Sequence, residues 1–128
     1  MGQRNCRPEP GDLIEIDRGV YKHWAVYVGD GYVIHVTKAG TIGSPPLSSR
    51  SSSKSNKKGK VKKELLEEVV GDDKWRVNNK YDRSRIPFPV EEIIKYAEES
   101  TDTVLPYNFL KKNCEHFVTK VRYGEPVS

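Results

Sequence analysis

The chain has 128 residues, which allows one domain with one modest core. Its 35% hydrophobic and 31% charged residues exclude a membrane-embedded or fibrous chain and fit a soluble globular domain. The two cysteines, Cys6 and Cys114, exclude a disulfide framework and favour a reducing compartment.

Charge is unevenly spread. Arg50, Lys54, Lys57, Lys58, Lys60, Lys62 and Lys63 carry +7 of a net +4, leaving −3 for the rest of the chain. A basic loop on a mildly acidic body suits an anionic partner such as an acidic membrane surface, RNA or a protein, and a solvated insertion without a partner fits equally well. No secretory leader pattern opens the chain, and no run reaches the roughly 18 apolar residues of a spanning helix. Gly2 is followed by Cys6 where a myristoylation signal would carry Ser or Thr.

In chain order, residues 1–10 form a Pro-flanked lead-in and Asp12–Ile16 a strand. His23–Val28 and Tyr32–Thr37, rich in β-branched and aromatic residues, form a hairpin across Gly29-Asp30-Gly31. Residues 43–60 are a Ser/Lys-rich stretch, predicted to be a disordered basic loop, because it buries too little apolar surface to offset ordering. Val61–Val70 is ambiguous between strand and helix, and Trp75–Asn78 is a short strand. A helix over Val90–Glu99 follows Pro87 and Pro89. A last helix runs from about Cys114 to Arg122, ended by Gly124 and Pro126.

The hairpin brings chemistry together. A turn of three residues pairs Val28 with Tyr32, Ala25 with His35 and His23 with Thr37. His23 and His35 then share a face as diagonal neighbours about 6–8 Å apart; a two-residue turn would set them on opposite faces. In the last helix Asn113 is a suitable N-cap, which puts Cys114 at the helix tip, where partial positive charge favours thiolate. Cys114, Phe117, Val118 and Val121 share one stripe, so the cysteine is expected to meet whatever face the sheet presents. His116 points about 200° away from Cys114 and suits a structural role. Cys6 has no orienting base. Taken singly, a cysteine on an apolar stripe is more often an inert core residue, and spacing alone leaves both readings open.

Longer motifs are more specific. Asn113-Cys114-Glu115-His116-Phe117 with Arg122-Tyr123-Gly124 resembles the nucleophile motif of the lecithin:retinol acyltransferase family. Pro10-Gly11-Asp12-Leu13-Ile14-Glu15 and the block from His23 to Gly31 resemble its N-terminal motif. Val77-Asn78-Asn79-Lys80-Tyr81-Asp82 resembles its phospholipase A and acyltransferase branch. The resemblance implies an α+β fold with a small antiparallel sheet packed on helices, a circularly permuted papain-like or NlpC/P60-like arrangement. It implies a triad with Cys114 as nucleophile, His23 as general base and His35 orienting His23. It also implies acyl hydrolysis of, and acyl transfer from, glycerophospholipids through an acyl-cysteine thioester, with lysophospholipid or the amine of phosphatidylethanolamine as acceptor.

For the oxyanion, the backbone N–H of Cys114 and the Tyr21 hydroxyl are candidate donors. Three histidines and one cysteine at these spacings match no closed metal site, and no cofactor or nucleic-acid partner is expected. The expected partners are a glycerophospholipid and, through Arg50–Lys63, a membrane surface. The expected location is the cytoplasm. Family members usually carry a hydrophobic C-terminal segment, so a longer form with one would be membrane-associated. A thiol peptidase or isopeptidase on the same fold, or a non-catalytic lipid- or protein-binding module, would share much of this sequence pattern.

Overall fold

The computed structural model describes residues 8–38, 58–106 and 110–125, without the side chains of residues 38, 58, 105, 106 and 110–114. In order come strands β1 (Leu13–Asp17), β2 (Lys22–Gly29), β3 (Tyr32–Lys38) and β4 (Lys58–Leu65), helix α1 (Leu66–Val70) and strand β5 (Lys74–Val77). A 3-10 turn (Lys80–Arg83), helix α2 (Val90–Ser100), strand β6 (Val104–Pro106) and helix α3 (Leu110–Tyr123) follow. Among the described residues the strands form one antiparallel sheet in the order β5-β1-β2-β3-β4-β6, so the class is α+β as expected.

The hairpin reaches the expected register by a different route. The turn has two residues, Asp30 and Gly31, both with left-handed φ (57° and 85°), and Gly29 pairs directly with Tyr32. Such a turn alone would reverse the faces. A β-bulge between Tyr27 and Gly29 inserts one extra residue in β2 and restores Ala25↔His35. Glycines on both sides of Asp30 supply the positive φ that the turn needs.

Alternation along the strands divides the core. Leu13, Trp24, Val26, Ile34, Val36 and Val61 pack under α2 and α3, against Ile93, Ala97, Val118, Val121 and Tyr123. Ile14, Ile16, Ala25 and Val33 face the other way, against Leu66, Val69 and Val70 of α1. The ambiguous Val61–Val70 segment is both element types in succession: β4 ends at Leu65 and α1 starts at Leu66, whose N–H donates to the Gly31 carbonyl at 2.8 Å.

The basic stretch is corrected at its C-terminal end. Residues 43–57 lie outside the described residues, but Lys58–Leu65 is strand, extending the sheet against Tyr32–Lys38. Its β-ladder with β3 supplies the backbone hydrogen bonds that the composition alone could not anticipate. Lys63 pairs with Glu98 at 2.8 Å and Lys60 with Asp102 at 3.6 Å, so these lysines also hold β4 to the α2 end.

Candidate active site

His23 and His35 meet. His23 Nε2 lies 2.8 Å from His35 Nδ1, with the rings edge to face and their centroids 5.1 Å apart. Both are buried, at 6% and 4% exposure. Their contact falls at the end of the registered pairing between β2 and β3. Registered pairing of β2 with β3 ends at Ala25↔His35, while β3 continues through Thr37 and Lys38 against β4. On the other side His23 still pairs with Ile16 of β1. The two imidazoles thus meet just past the last registered pair of β2 and β3.

Burial strips water from both rings and lowers their proton affinity, His23 to about 3 and His35 to about 4. After burial, each imidazole charge would be opposed by neighbours: His35 and Arg18 for His23, Arg18 and Lys62 for His35. Both rings are thus neutral at neutral pH. A hydrogen bond between neutral imidazoles requires one N–H and one lone pair, so their tautomers are coupled. If His23 donates from Nε2, its Nδ1 keeps a lone pair and can act as a base. The reverse arrangement removes that base.

Helix α3 begins at Leu110, which corrects the expected cap at Asn113. Leu110, Lys111 and Lys112 are good helix formers and add a turn ahead of the cysteine. Cys114 therefore sits in the second turn, where α-helical geometry directs its N–H to the Leu110 carbonyl rather than leaving it unpaired. The Cys114 side chain lies outside the described residues, as does Cys6. Phe117, Val118 and Val121, the described members of its stripe, pack on the Trp24–Ile34 face and not on the histidine face. Tyr21 is half-buried in the turn entering β2, with its carbonyl accepting from the Arg18 N–H at 3.0 Å. His116 is half-buried on α3.

Sequence reasoning assigned no role to the residues that hold α3 in place. Arg122, whose side chain is only 10% exposed, donates from Nε and Nη2 to Asp82 (3.1 and 2.7 Å) and from Nη1 to the Gly11 carbonyl (2.7 Å). The Tyr123 hydroxyl donates to the same carboxylate at 2.6 Å. Partial burial would raise the Asp82 carboxyl, but these hydrogen bonds outweigh it and hold it below 3.8. Next to Cys114 in the chain, Glu115 accepts from the Tyr81 hydroxyl at 2.8 Å. Burial first, then that hydrogen bond, pushes the Tyr81 phenol up to about 12. Asn79 completes the frame, accepting from the Leu13 N–H at 2.8 Å and donating to Asp12 at 3.1 Å. The motif Asn78–Asp82 is thus a clamp joining α3, β1 and the entry to β1. Co-occurrence of buried-type polar residues in three separate motifs was the available signal.

Among the described residues, no helix is long and apolar enough to cross a membrane. Comparison with known proteins gives a family match over residues 6–127, to the model described as lecithin retinol acyltransferase. Human phospholipase A and acyltransferase 1 is 52% identical over 121 residues, 94% of this chain and 71% of that protein. Human phospholipase A and acyltransferase 2 is 52% identical over 124 residues, covering 97% and 76%. Mouse phospholipase A and acyltransferase 3 is 49% identical over 121 residues, covering 94% and 74%.

Proposed function

The chain belongs to the lecithin retinol acyltransferase family, and from that membership we propose that it is a thiol-dependent phospholipase A and acyltransferase acting on glycerophospholipids. The observation that carries the chemistry is the buried His23–His35 bridge at 2.8 Å, which can hold one imidazole nitrogen as a base. Cys114 is the proposed nucleophile. Its reach to His23 is supported by the levels of helix and strand. Arg122 bonds to Gly11, and Gly11 bonds to Tyr27. Counting back from Arg122 to Cys114 covers about 12 Å of helix, and from Tyr27 to His23 about 13 Å of strand. With α3 and β2 taken to run in the same direction from that anchor, the proposal sets the cysteine level with His23.

In the proposed first step, His23 Nδ1 takes the Cys114 proton and the sulfur attacks the ester carbonyl of the phospholipid. The C–O bond breaks, His23 returns the proton to the leaving oxygen, and the lysophospholipid departs from an acyl-cysteine thioester. His35 holds the His23 ring and its tautomer; being neutral, it stabilises the imidazolium less than a carboxylate would. The Tyr21 hydroxyl is the proposed oxyanion donor. In the second step water, a lysophospholipid or the amine of phosphatidylethanolamine attacks the thioester, with His23 as base. No step requires a metal or a cofactor. The proposed setting is the cytoplasmic side of a membrane, with peripheral contact through Arg50–Lys63.

Mixed micelles of phosphatidylcholine and phosphatidylethanolamine test this. The wild type should release fatty acid and form N-acylated phosphatidylethanolamine, and Cys114→Ala and His23→Ala should do neither. Full activity in Cys114→Ala, or cleavage of peptide amides without lipid esters, would overturn the proposal.

A further inference from the structure

The His23–His35 bridge works as a base only in one of its two tautomeric arrangements, and the imidazole pair by itself does not choose between them. The far side of His35 does. Its Nε2 is buried and has no hydrogen-bond partner among the described residues, yet Glu64 Oε2 stands 3.5 Å away. That separation is within ion-pair reach but too open for a closed hydrogen bond.

The placement follows from register. On β4, Lys62 pairs with His35 and Glu64 pairs with Val33 of β3, so Glu64 and His35 are diagonal neighbours on one face. The Glu64 side chain is 36% exposed, so its carboxylate is hydrated at one edge and turned to a dry nitrogen at the other. The groups facing His35 are His23 from β2, Arg18 from the turn before β2, and Lys62 and Glu64 from β4. Arg18 and Lys62 oppose a charge on the ring, and neither distinguishes its two nitrogens by hydrogen bonding.

We propose that Glu64 is a positioning residue that selects the productive tautomer of the histidine pair, by accepting the Nε2–H of His35. A carboxylate facing a bare nitrogen lone pair is repelled, and facing an N–H it is attracted. With the proton on His35 Nε2, Nδ1 is an acceptor. His23 must then donate from Nε2, and its Nδ1 is left as the base. The chain of hydrogen bonds therefore has four members, Glu64–His35–His23–Cys114, of which the last link rests on the function proposed above. No proton leaves His35 during the reaction. When His23 becomes imidazolium, the Glu64 charge acts through His35 and offsets part of the weakness of a neutral orienting group.

The test uses the whole chain with 15N-labelled histidine. In the wild type, nitrogen shifts and one-bond couplings should show both rings neutral and protonated at Nε2. Glu64→Gln keeps the shape of the side chain but can turn either an oxygen or an NH2 to the ring, so the tautomers should mix. kcat for phosphatidylcholine hydrolysis should fall about 10-fold with KM within a factor of about two, the size expected for one charge-assisted hydrogen bond lost at a partly exposed site. Glu64→Asp should recover part of both. A wild-type His35 protonated at Nδ1, or tautomers unchanged in Glu64→Gln, would overturn the role of Glu64 whatever the rate does. If Cys114→Ser were as active as the wild type, the nucleophile assignment would fall, while the tautomer shift would still decide for or against Glu64.

Discussion

Replacing Asp82 with asparagine should destabilise the domain by about 2 kcal/mol. The change keeps the side-chain shape and removes one charge from a carboxylate that accepts from Arg122 twice and from Tyr123 once. Charge-assisted hydrogen bonds contribute about 1.5–3 kcal/mol each, and exposed ion pairs about 0–1. Asp82 lies between these limits. Its own side chain is 37% exposed, which discounts the interaction for solvent screening, but Arg122 is 10% exposed and would be left with the Gly11 carbonyl and one neutral amide oxygen as acceptors and no carboxylate to balance its charge. For a chain of this size about 2 kcal/mol corresponds to a Tm lower by about 6–10 °C. Thermal and urea unfolding of the wild type, Asp82→Asn, Arg122→Gln and the double variant would give a coupling energy of about 1.5 kcal/mol. The Asp82 carboxyl is held below its unfolded value of 3.8, so this stability is present above about pH 4 and fades as pH falls through the folded value. Glu125→Gln, which removes the more exposed Arg85–Glu125 pair, serves as a control and should change stability by less than about 0.5 kcal/mol. A Tm for Asp82→Asn within about 2 °C of the wild type, or no coupling in the cycle, would refute the clamp.

Two further outcomes follow from the histidine pair and from the end of α3. Both histidines are held below their unfolded value of 6.5, so below about pH 6 the unfolded chain takes up protons that the folded chain does not. Stability should fall on acidification by up to about 1.4 kcal/mol per pH unit for each ring, until pH nears the folded values of about 4 and 3. Urea titrations at pH 7, 6 and 5 check this, and stability rising on acidification would contradict a buried neutral pair. At Gly124, φ is 88° and an added Cβ would come within 2.6 Å of Phe88 Cζ, so Gly124→Ala should cost about 1–3 kcal/mol by thermal unfolding, and an unchanged Tm would contradict that packing.

Much of the fold was legible because local patterns were strong. His23–Val28 and Tyr32–Thr37 have a β-branched and aromatic content that no helix pattern imitates, and the two glycines mark the turn between them. The shared face of His23 and His35 was anticipated, but through a three-residue turn. A bulge at the end of β2 and a two-residue turn give the same parity, and composition does not distinguish the two. The strand Lys58–Leu65 was legible only in part, because its first residues have the composition of a loop and become strand by pairing with β3. The start of α3 was missed because Asn113 is a good cap residue in isolation, whereas Leu110–Lys112 carry the helix past it. The Asp82–Arg122 clamp joins residues 40 positions apart, beyond the reach of local periodicity.

The most direct test of the account is intact-protein mass spectrometry after brief mixing with phosphatidylcholine of a single acyl composition. The account predicts a mass increase of one acyl group, mapped to Cys114, released by hydroxylamine and absent in Cys114→Ala. An acyl group carried on another residue, or turnover of the lipid with no cysteine adduct under single-turnover quench, would contradict it.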